Sequence, residues 1–155
     1  MREKKIGKDF ALSIVNRLDF FKRFTPQERI SLVQFHQHYT IYSAGEILIE
    51  EGTHDDCFFI VLSGGATVTT KNSSKSIAMI EPGEIVGEIS FLTKSPRSAT
   101  ITAETEFIVI KVDETMLEQL KPRTREKFKD MFIEKLIERL NHMNHMIESP
   151  EASKV

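Results

Sequence analysis

Gly83-Glu84-Ile85-Val86-Gly87-Glu88-Ile89-Ser90-Phe91-Leu92-Thr93-Lys94-Ser95-Pro96-Arg97-Ser98-Ala99-Thr100-Ile101 is the stretch on which the reading of this chain turns. Gly87 lets the backbone approach a ligand closely, or take a conformation closed to residues that carry a Cβ. Glu88 to Leu92 has the length of one short helical turn, and the exposed N–H groups at the start of such a turn attract an anion. Ser95-Pro96 ends the turn. Arg97 then enters the next strand, where its guanidinium can grip two oxygens of one phosphate. A carboxylate at Glu88 would repel that phosphate unless it faced another part of the ligand, and a sugar hydroxyl is a suitable partner. Together these groups fit a compact sugar phosphate.

Around this stretch, from about His38 to Val112, the chain is rich in strand signals. Tyr39-Thr40-Ile41-Tyr42 is β-prone and ends at Ser43-Ala44-Gly45; Ile47-Leu48-Ile49 ends at Gly52. Cys57 to Leu62 is an apolar run closed by Ser63-Gly64-Gly65, and Ala66 to Thr70 alternates up to Asn72-Ser73-Ser74. Ile77 to Ile80 stops at Glu81-Pro82-Gly83, while Ser98 to Ala103 and Phe107 to Val112 supply two more strands. Short strands with turn residues at such intervals predict an antiparallel barrel or sandwich.

Helical patterns flank the strands. Phe10, Ile14, Val15 and Leu18 fall at helical spacing. Thr25-Pro26-Gln27-Glu28 reads as a helix start, with Thr25 as cap, Pro26 at the first position and Glu28 completing a capping box. Ile30, Leu32, Val33 and Phe35 follow. On the far side, Asp113 can cap a short helix over Glu114 to Leu120 that stops at Pro122. A longer helix over about Arg123 to Ile147 carries the stripe Phe128, Phe132, Leu136, Leu140, Met143 and Ile147, widened by Ile133 and Ile137. At ~1.5 Å per residue it would run about 37 Å, so its distal half is expected to project.

The 155 residues suit one domain with a sizeable core. A formal net charge of −2 argues against a nucleic-acid coat or a membrane-surface protein. No apolar run is long enough to span a bilayer. The basic start, Met1 to Phe10, has no apolar core and cleavage site of the signal-peptide kind. Cys57 is the single cysteine, so no intrachain disulfide can form. Cytoplasmic residence is the simplest expectation.

The segment from Gly87 to Ile101 matches, without a gap, the pattern G-E-[LI]-x-[LF]-x(4)-P-R-x-[AS]-[TS]-[VI]. It resembles the phosphate-binding cassette of the cyclic-nucleotide-binding domain family, known from protein kinase A regulatory subunits, cyclic-nucleotide-gated channels and the bacterial catabolite activator protein. Leu18-Asp19-Phe20-Phe21, Thr25 to Leu32, Tyr42 to Glu46 with Glu51-Gly52, and Asp56 to Val61 with Ser63-Gly64 extend the likeness over about Leu18 to Leu120. The resemblance implies an α+β fold: an antiparallel, jelly-roll-like β-roll with the cassette inserted, flanked by N- and C-terminal helices. It implies ligand contacts from Val86, Gly87, Glu88, Ile89, Ser90, Arg97 and Ser98. Glu88 would accept from the ribose 2′-hydroxyl, and Gly87 would lie against the ribose. The amides around Ile89 and Ser90 would cap the cyclic phosphate, and Arg97 would neutralise it. A serine at Ser98 fits either cyclic AMP or cyclic GMP; the bacterial activator's serine at that place favours cyclic AMP. Two positions depart from the pattern. Ser90 stands where the family usually has Ala or Gly, and Val86 where an aromatic is common.

The expected organisation is a helical segment over 1–36, a β-roll over 37–122 with its cassette at 83–101, a lid or dimer helix over 123–148, and a disordered tail over 149–155. The expected activity is reversible ligand binding without catalysis and without a cofactor. Ligand would favour a closed cassette and a docked last helix. No DNA-reading, kinase or channel segment follows that helix, so the output would pass to an effector protein or a second copy of the chain, or the chain is part of a larger protein. Two alternatives stand beside this reading. One is an interaction domain with the same fold and no nucleotide. The other is a cupin-like metal enzyme, for which His36 and His38 supply a ligand pair but Glu46 comes too late. His142 and His145 read as a solvated helix face, and Cys57 as a small core residue.

Overall fold

The computed structural model describes residues 4–5, 7–35 and 38–148. His36 and the tail 149–155 lie outside the described residues, as do the side chains of His142, Met143, His145 and Ile147.

Of the helices before the roll, the second forms where its capping chemistry places it, while the first starts at Gly7 with no side-chain cap. α1 (Lys8–Arg17) buries Ala11, Ile14 and Val15, three positions on one helical face. Phe10, expected on that face, is 47% exposed, and Ala11 is buried in its stead. A 3-10 turn follows over Asp19–Arg23. α2 (Pro26–Val33) starts on a complete capping box: Glu28 N donates to Thr25 Oγ1 at 3.1 Å and Thr25 N donates to Glu28 Oε1 at 2.8 Å. Leu32 and Val33 are buried, whereas Ile30 faces outward.

The strands are β1 (Lys4–Lys5), β2 (Tyr39–Tyr42), β3 (Ile47–Ile49), β4 (Cys57–Ser63), β5 (Ala66–Thr70), β6 (Ser73–Ile80), β7 (Ile85–Val86), β8 (Thr100–Ala103) and β9 (Phe107–Asp113). They make a five-stranded sheet in the order β1-β2-β9-β4-β7 and a four-stranded sheet in the order β3-β8-β5-β6. Every pairing is antiparallel. The expected β-roll fold is therefore present. Three details differ from the sequence pattern. β6 begins at Ser73 rather than near Ile77, because Ser73 pairs with Thr70 and carries the β5–β6 ladder up to the turn. β8 begins at Thr100 rather than Ser98, so Arg97 lies in the connection ahead of the strand. β7 is a two-residue strand that no run of apolar residues announces.

The core joins the inner faces of both sheets, with Tyr42, Leu48, Phe59, Val61, Ile80, Ile101, Phe107 and Val109 in one cluster. β4 sits between β9 and β7 and is buried on both faces. Phe59 and Val61 point into the cluster, while Phe58 on the opposite face meets Phe91, ring centroids 5.1 Å apart. Burial on both sides is why Cys57 to Leu62 reads as an unbroken apolar run instead of an alternating one.

α4 (Glu114–Gln119) is capped by Asp113, whose Oδ1 accepts from Met116 N at 2.8 Å. The chain divides into two units between Leu120 and Lys121. The second holds α5 (Pro122–Glu148), which Pro122 opens instead of ending the helix before it, a place its fixed φ suits. The α5 stripe splits along its length: Phe128 and Phe132 are buried with Met131, while Leu136 and Leu140 are exposed with Ile133 and Ile137. Among the described residues no helix is long and apolar enough to cross a membrane.

The β4–β5 turn depends on Gly64, which has φ +84 and no room for a Cβ, since one would run into the Glu106 carbonyl. Gly64→Ala should lose about 2 kcal/mol of stability or more, from left-handed strain and that clash. Urea unfolding decides: a variant as stable as wild type would show that the turn relaxes.

Candidate functional site

β7 carries the chain into the site. Val86, buried and paired with Phe59 of β4, fixes the approach, and Gly87 then turns it with φ +81. α3 (Glu88–Thr93) follows directly, so its first amides, those of Glu88, Ile89 and Ser90, have no carbonyl in their own helix to bond. Glu88 is 1% exposed and starts the helix, where the helix dipole favours a negative group. Ser90 is also buried, and Ile89 faces outward.

Hydroxyl groups fasten the far end of the turn. Ser90 Oγ donates to Ser95 O at 2.6 Å, Thr93 Oγ1 donates to Ile89 O at 2.7 Å, and Thr93 Oγ1 lies 2.6 Å from Ser95 Oγ. Lys94 takes a left-handed φ of +58 at the helix end, and its Nζ sits 4.9 Å from the Phe91 ring centroid. The serine at position 90, a departure from the usual small apolar residue, is thus bonded within the turn.

Arg97 is 3% exposed, and its surroundings show how a charge is held there. Nη1 donates to Gly87 O at 2.9 Å and Nη2 to Cys57 O at 2.7 Å, with Cys57 Sγ 3.5 Å away. Nε has no acceptor among the described residues, and Asp55 Oδ2 stands 3.9 Å from it. The backbone is fixed as well: Arg97 N donates to Thr53 O, and Gly52 N donates to Arg97 O, both at 2.8 Å. Gly87 has a second reason to be glycine, because a Cβ would come within 2.6 Å of Arg97 Nη1 and 3.2 Å of Ile49 Cδ1.

The turn therefore brings Val86, Gly87, Glu88, Ile89, Ser90 and Arg97 together, with Ser98 exposed one residue beyond. Glu88 and Arg97 are both buried, so neither belongs to a solvated surface pair. The arrangement offers a buried cation with a free N–H edge beside the amides of a helix start, which suits an oxygen anion. Asp55, Thr53 and Cys57 escape sequence reasoning. Thr53 and Cys57 act through carbonyls, which every residue type has. For Asp55, the acidic Asp55-Asp56 pair ahead of an apolar run is the one signal that could have found it. The Cys57 thiol pKa is raised by burial, with Lys111 and Arg97 pulling the other way, which fits a core thiol better than a nucleophile. Of the histidine pair, His38 Nδ1 lies 3.1 Å from Lys111 O. Among the described residues no three His, Cys, Asp or Glu groups gather as a metal site would need.

Comparison with known proteins gives concordant results. Residues 39–123 match the family model described as the cyclic nucleotide-binding domain. The cAMP-dependent protein kinase regulatory subunit of Yarrowia lipolytica is 39% identical over 69 residues, 44% of this chain and 18% of that protein. The cGMP-dependent protein kinase of Eimeria tenella is 34% identical over 79 residues, 51% of this chain and 8% of that protein. The match thus spans only 18% and 8% of these relatives' length. A cyclic nucleotide-binding domain from Methylobacillus flagellatus has the same fold, with TM-score 0.70 and 24% identity over 90% of this chain and 84% of its own.

The contact between Gly87 and the guanidinium predicts a measurable coupling. Gly87→Ala should destabilise the fold, and should do so less in an Arg97→Ala background, with a coupling of about 1 kcal/mol in a urea double-mutant cycle. Strictly additive losses would show that the guanidinium does not rest against Gly87.

Proposed function

The chain belongs to the cyclic nucleotide-binding domain family, and from that premise we propose that it binds a cyclic nucleotide at the turn between Val86 and Ser98, with cyclic AMP favoured over cyclic GMP. The observation that carries this reading is the buried Arg97 guanidinium, held by two backbone carbonyls while its Nε edge bonds to none. A buried charge is costly for stability alone, and apolar replacements are often neutral or better. An anionic ligand gives such a group a use. In this reading Arg97 neutralises the cyclic phosphate and the Ile89 and Ser90 amides cap it. Val86 and Gly87 line the ribose, and Glu88 accepts from the 2′-hydroxyl. Ser98, next to Arg97, meets the phosphate or a guanine amino group. The serine at position 98 is what favours cyclic AMP, by likeness to the bacterial activator.

The module acts as a sensor and not as a catalyst, passing ligand occupancy to an effector protein. Its output runs through α5. Ile133, Leu136 and Leu140 are exposed, and with Met143 and Ile147 they repeat at alternating steps of three and four, the spacing of a coiled-coil seam. A second copy of the same helix matches such a seam, so the module pairs two-fold. One observation favours a second reading, a ligand-free interaction domain with the same fold: two of the three Arg97 nitrogens are already satisfied within the protein.

Calorimetric titration with cyclic AMP and cyclic GMP separates the two readings. Arg97→Ala should remain folded and lose about one to two decades of affinity, the worth of a hydrogen bond to a charged group, and Arg97→Lys should recover only part. Wild type should prefer a cyclic nucleotide over its 2′-deoxy analogue, and Glu88→Ala should erase that preference. Undiminished affinity in folded Arg97→Ala refutes the anchor. Pairing through α5 predicts a dimer in sedimentation that truncation after Glu138 abolishes, with the roll still folded. A full-length chain that stays monomeric at every concentration, with and without ligand, refutes it.

A further inference from the structure

Asp55 has no part in the reading above, yet it is the acidic group beside the anchor. Its Oδ2 stands 3.9 Å from Arg97 Nε, too far for a hydrogen bond, so it contributes charge and leaves the N–H edge open. The Arg97 side chain is 1% exposed and that of Asp55 51%, so Asp55 meets the guanidinium from the solvent side. Nη1 and Nη2 are turned to Gly87 O and Cys57 O. An anion oxygen that takes the Nε edge must therefore settle beside the Asp55 carboxylate or displace it. Glu88, buried at the start of the same turn, already adds one carboxylate to the site.

We infer that Asp55 is a charge filter on this site, an inference that rests on the cyclic-nucleotide reading. It weakens binding of every phosphate, and weakens a dianionic phosphomonoester more than a monoanionic cyclic diester. The difference lies in ionisation. A cyclic diester has no second proton to lose and keeps a single charge. A monoester at pH 7 carries about −1.5 to −2, because its second pKa is near 6. Hydrolysis of a cyclic nucleotide adds water across one P–O ester bond, which opens the diester to such a monoester, frees one ribose hydroxyl and leaves the base unchanged. Charge is then one property by which the site can ignore the product of the reaction that removes its ligand. Two unit charges about 4 Å apart and open to water weaken binding about fivefold, and a doubly charged ligand is weakened by about the square of that factor.

The test compares wild type, Asp55→Asn and Asp55→Glu by calorimetry with cyclic AMP and 5′-AMP at one pH and ionic strength. Asp55→Asn should bind cyclic AMP about fivefold tighter and 5′-AMP about twenty-five-fold tighter, so the preference for the cyclic form narrows about fivefold. Asp55→Glu keeps the charge and should keep the wild-type preference. Equal gains for both ligands overturn the inference. So does weaker cyclic AMP binding by Asp55→Asn, which would make Asp55 an aid to orienting Arg97. If wild type binds neither nucleotide, the cyclic-nucleotide reading fails by itself, and inorganic phosphate still decides the filter. Phosphate should then raise the unfolding temperature of Asp55→Asn more than that of wild type, and equal rises overturn the inference.

Discussion

The seat of the Arg97 guanidinium is the constraint that organises the rest of the site. A charge this far from water needs bonded partners to be tolerated. Its partners are the carbonyl of Gly87, just past β7, and the carbonyl of Cys57, where β4 begins. One planar side chain therefore ties the turn to the start of β4 in the larger sheet. The main chain of Arg97 adds bonds to Gly52 and Thr53, so the loop ahead of β4 is held to the same residue. Gly87 must lack a Cβ for this seat to exist, and its left-handed φ is what starts α3 immediately afterwards. The Gly-Glu step and the arginine ten residues later are two ends of one packing problem.

The second support is β4. Both of its faces are buried, and the turn covers the one that faces away from the core cluster. Phe58 meets Phe91 there, and Lys94 lies over the outer side of the same aromatic group. The cassette is thus an extension of the core and not a loop laid on its surface. The Ser90 bond to Ser95 O closes it from within, two residues before Arg97, and this hydroxyl is one that a small apolar residue would not supply.

Much of this was legible in the chain. The capping box at Thr25 and Glu28 and the cap at Asp113 need only local chemistry, and both stand where their spacing puts them. β-prone residues bounded by turn signals located β2 and β9, alternation located β5, and the unbroken run at Cys57 marked a strand buried on both sides. What could not be read depends on tertiary contacts. β7 is two residues long and exists because Ile60 and Phe59 pair with it. Helical periodicity could not tell Phe10 from Ala11, since which of them turns inward depends on how closely the helix approaches. The partners of Arg97 were invisible for a simpler reason: carbonyls carry no side-chain identity.

Where the sequence agrees with its fold and where it does not are separated in space. Through both sheets, apolar residues face the core and most turns fall at glycine, serine or asparagine, the β8–β9 turn at Glu104-Thr105-Glu106 excepted, as mutually consistent local choices require. Three conflicts lie between Gly87 and Arg97. Glu88 is buried, Arg97 is buried with an N–H edge that no described residue accepts, and Lys94 holds a left-handed backbone without being glycine. A buried charge and a left-handed lysine each carry a cost in stability. The hydrogen bonds to Gly87 O and Cys57 O explain how the fold tolerates the guanidinium, but they do not explain why a charge is there at all. An apolar side chain of similar volume would fill that space without the cost of desolvation. A turn that gathers such conflicts, and sets a cation beside the amides of a helix start, has the features of a site shaped around an oxygen anion.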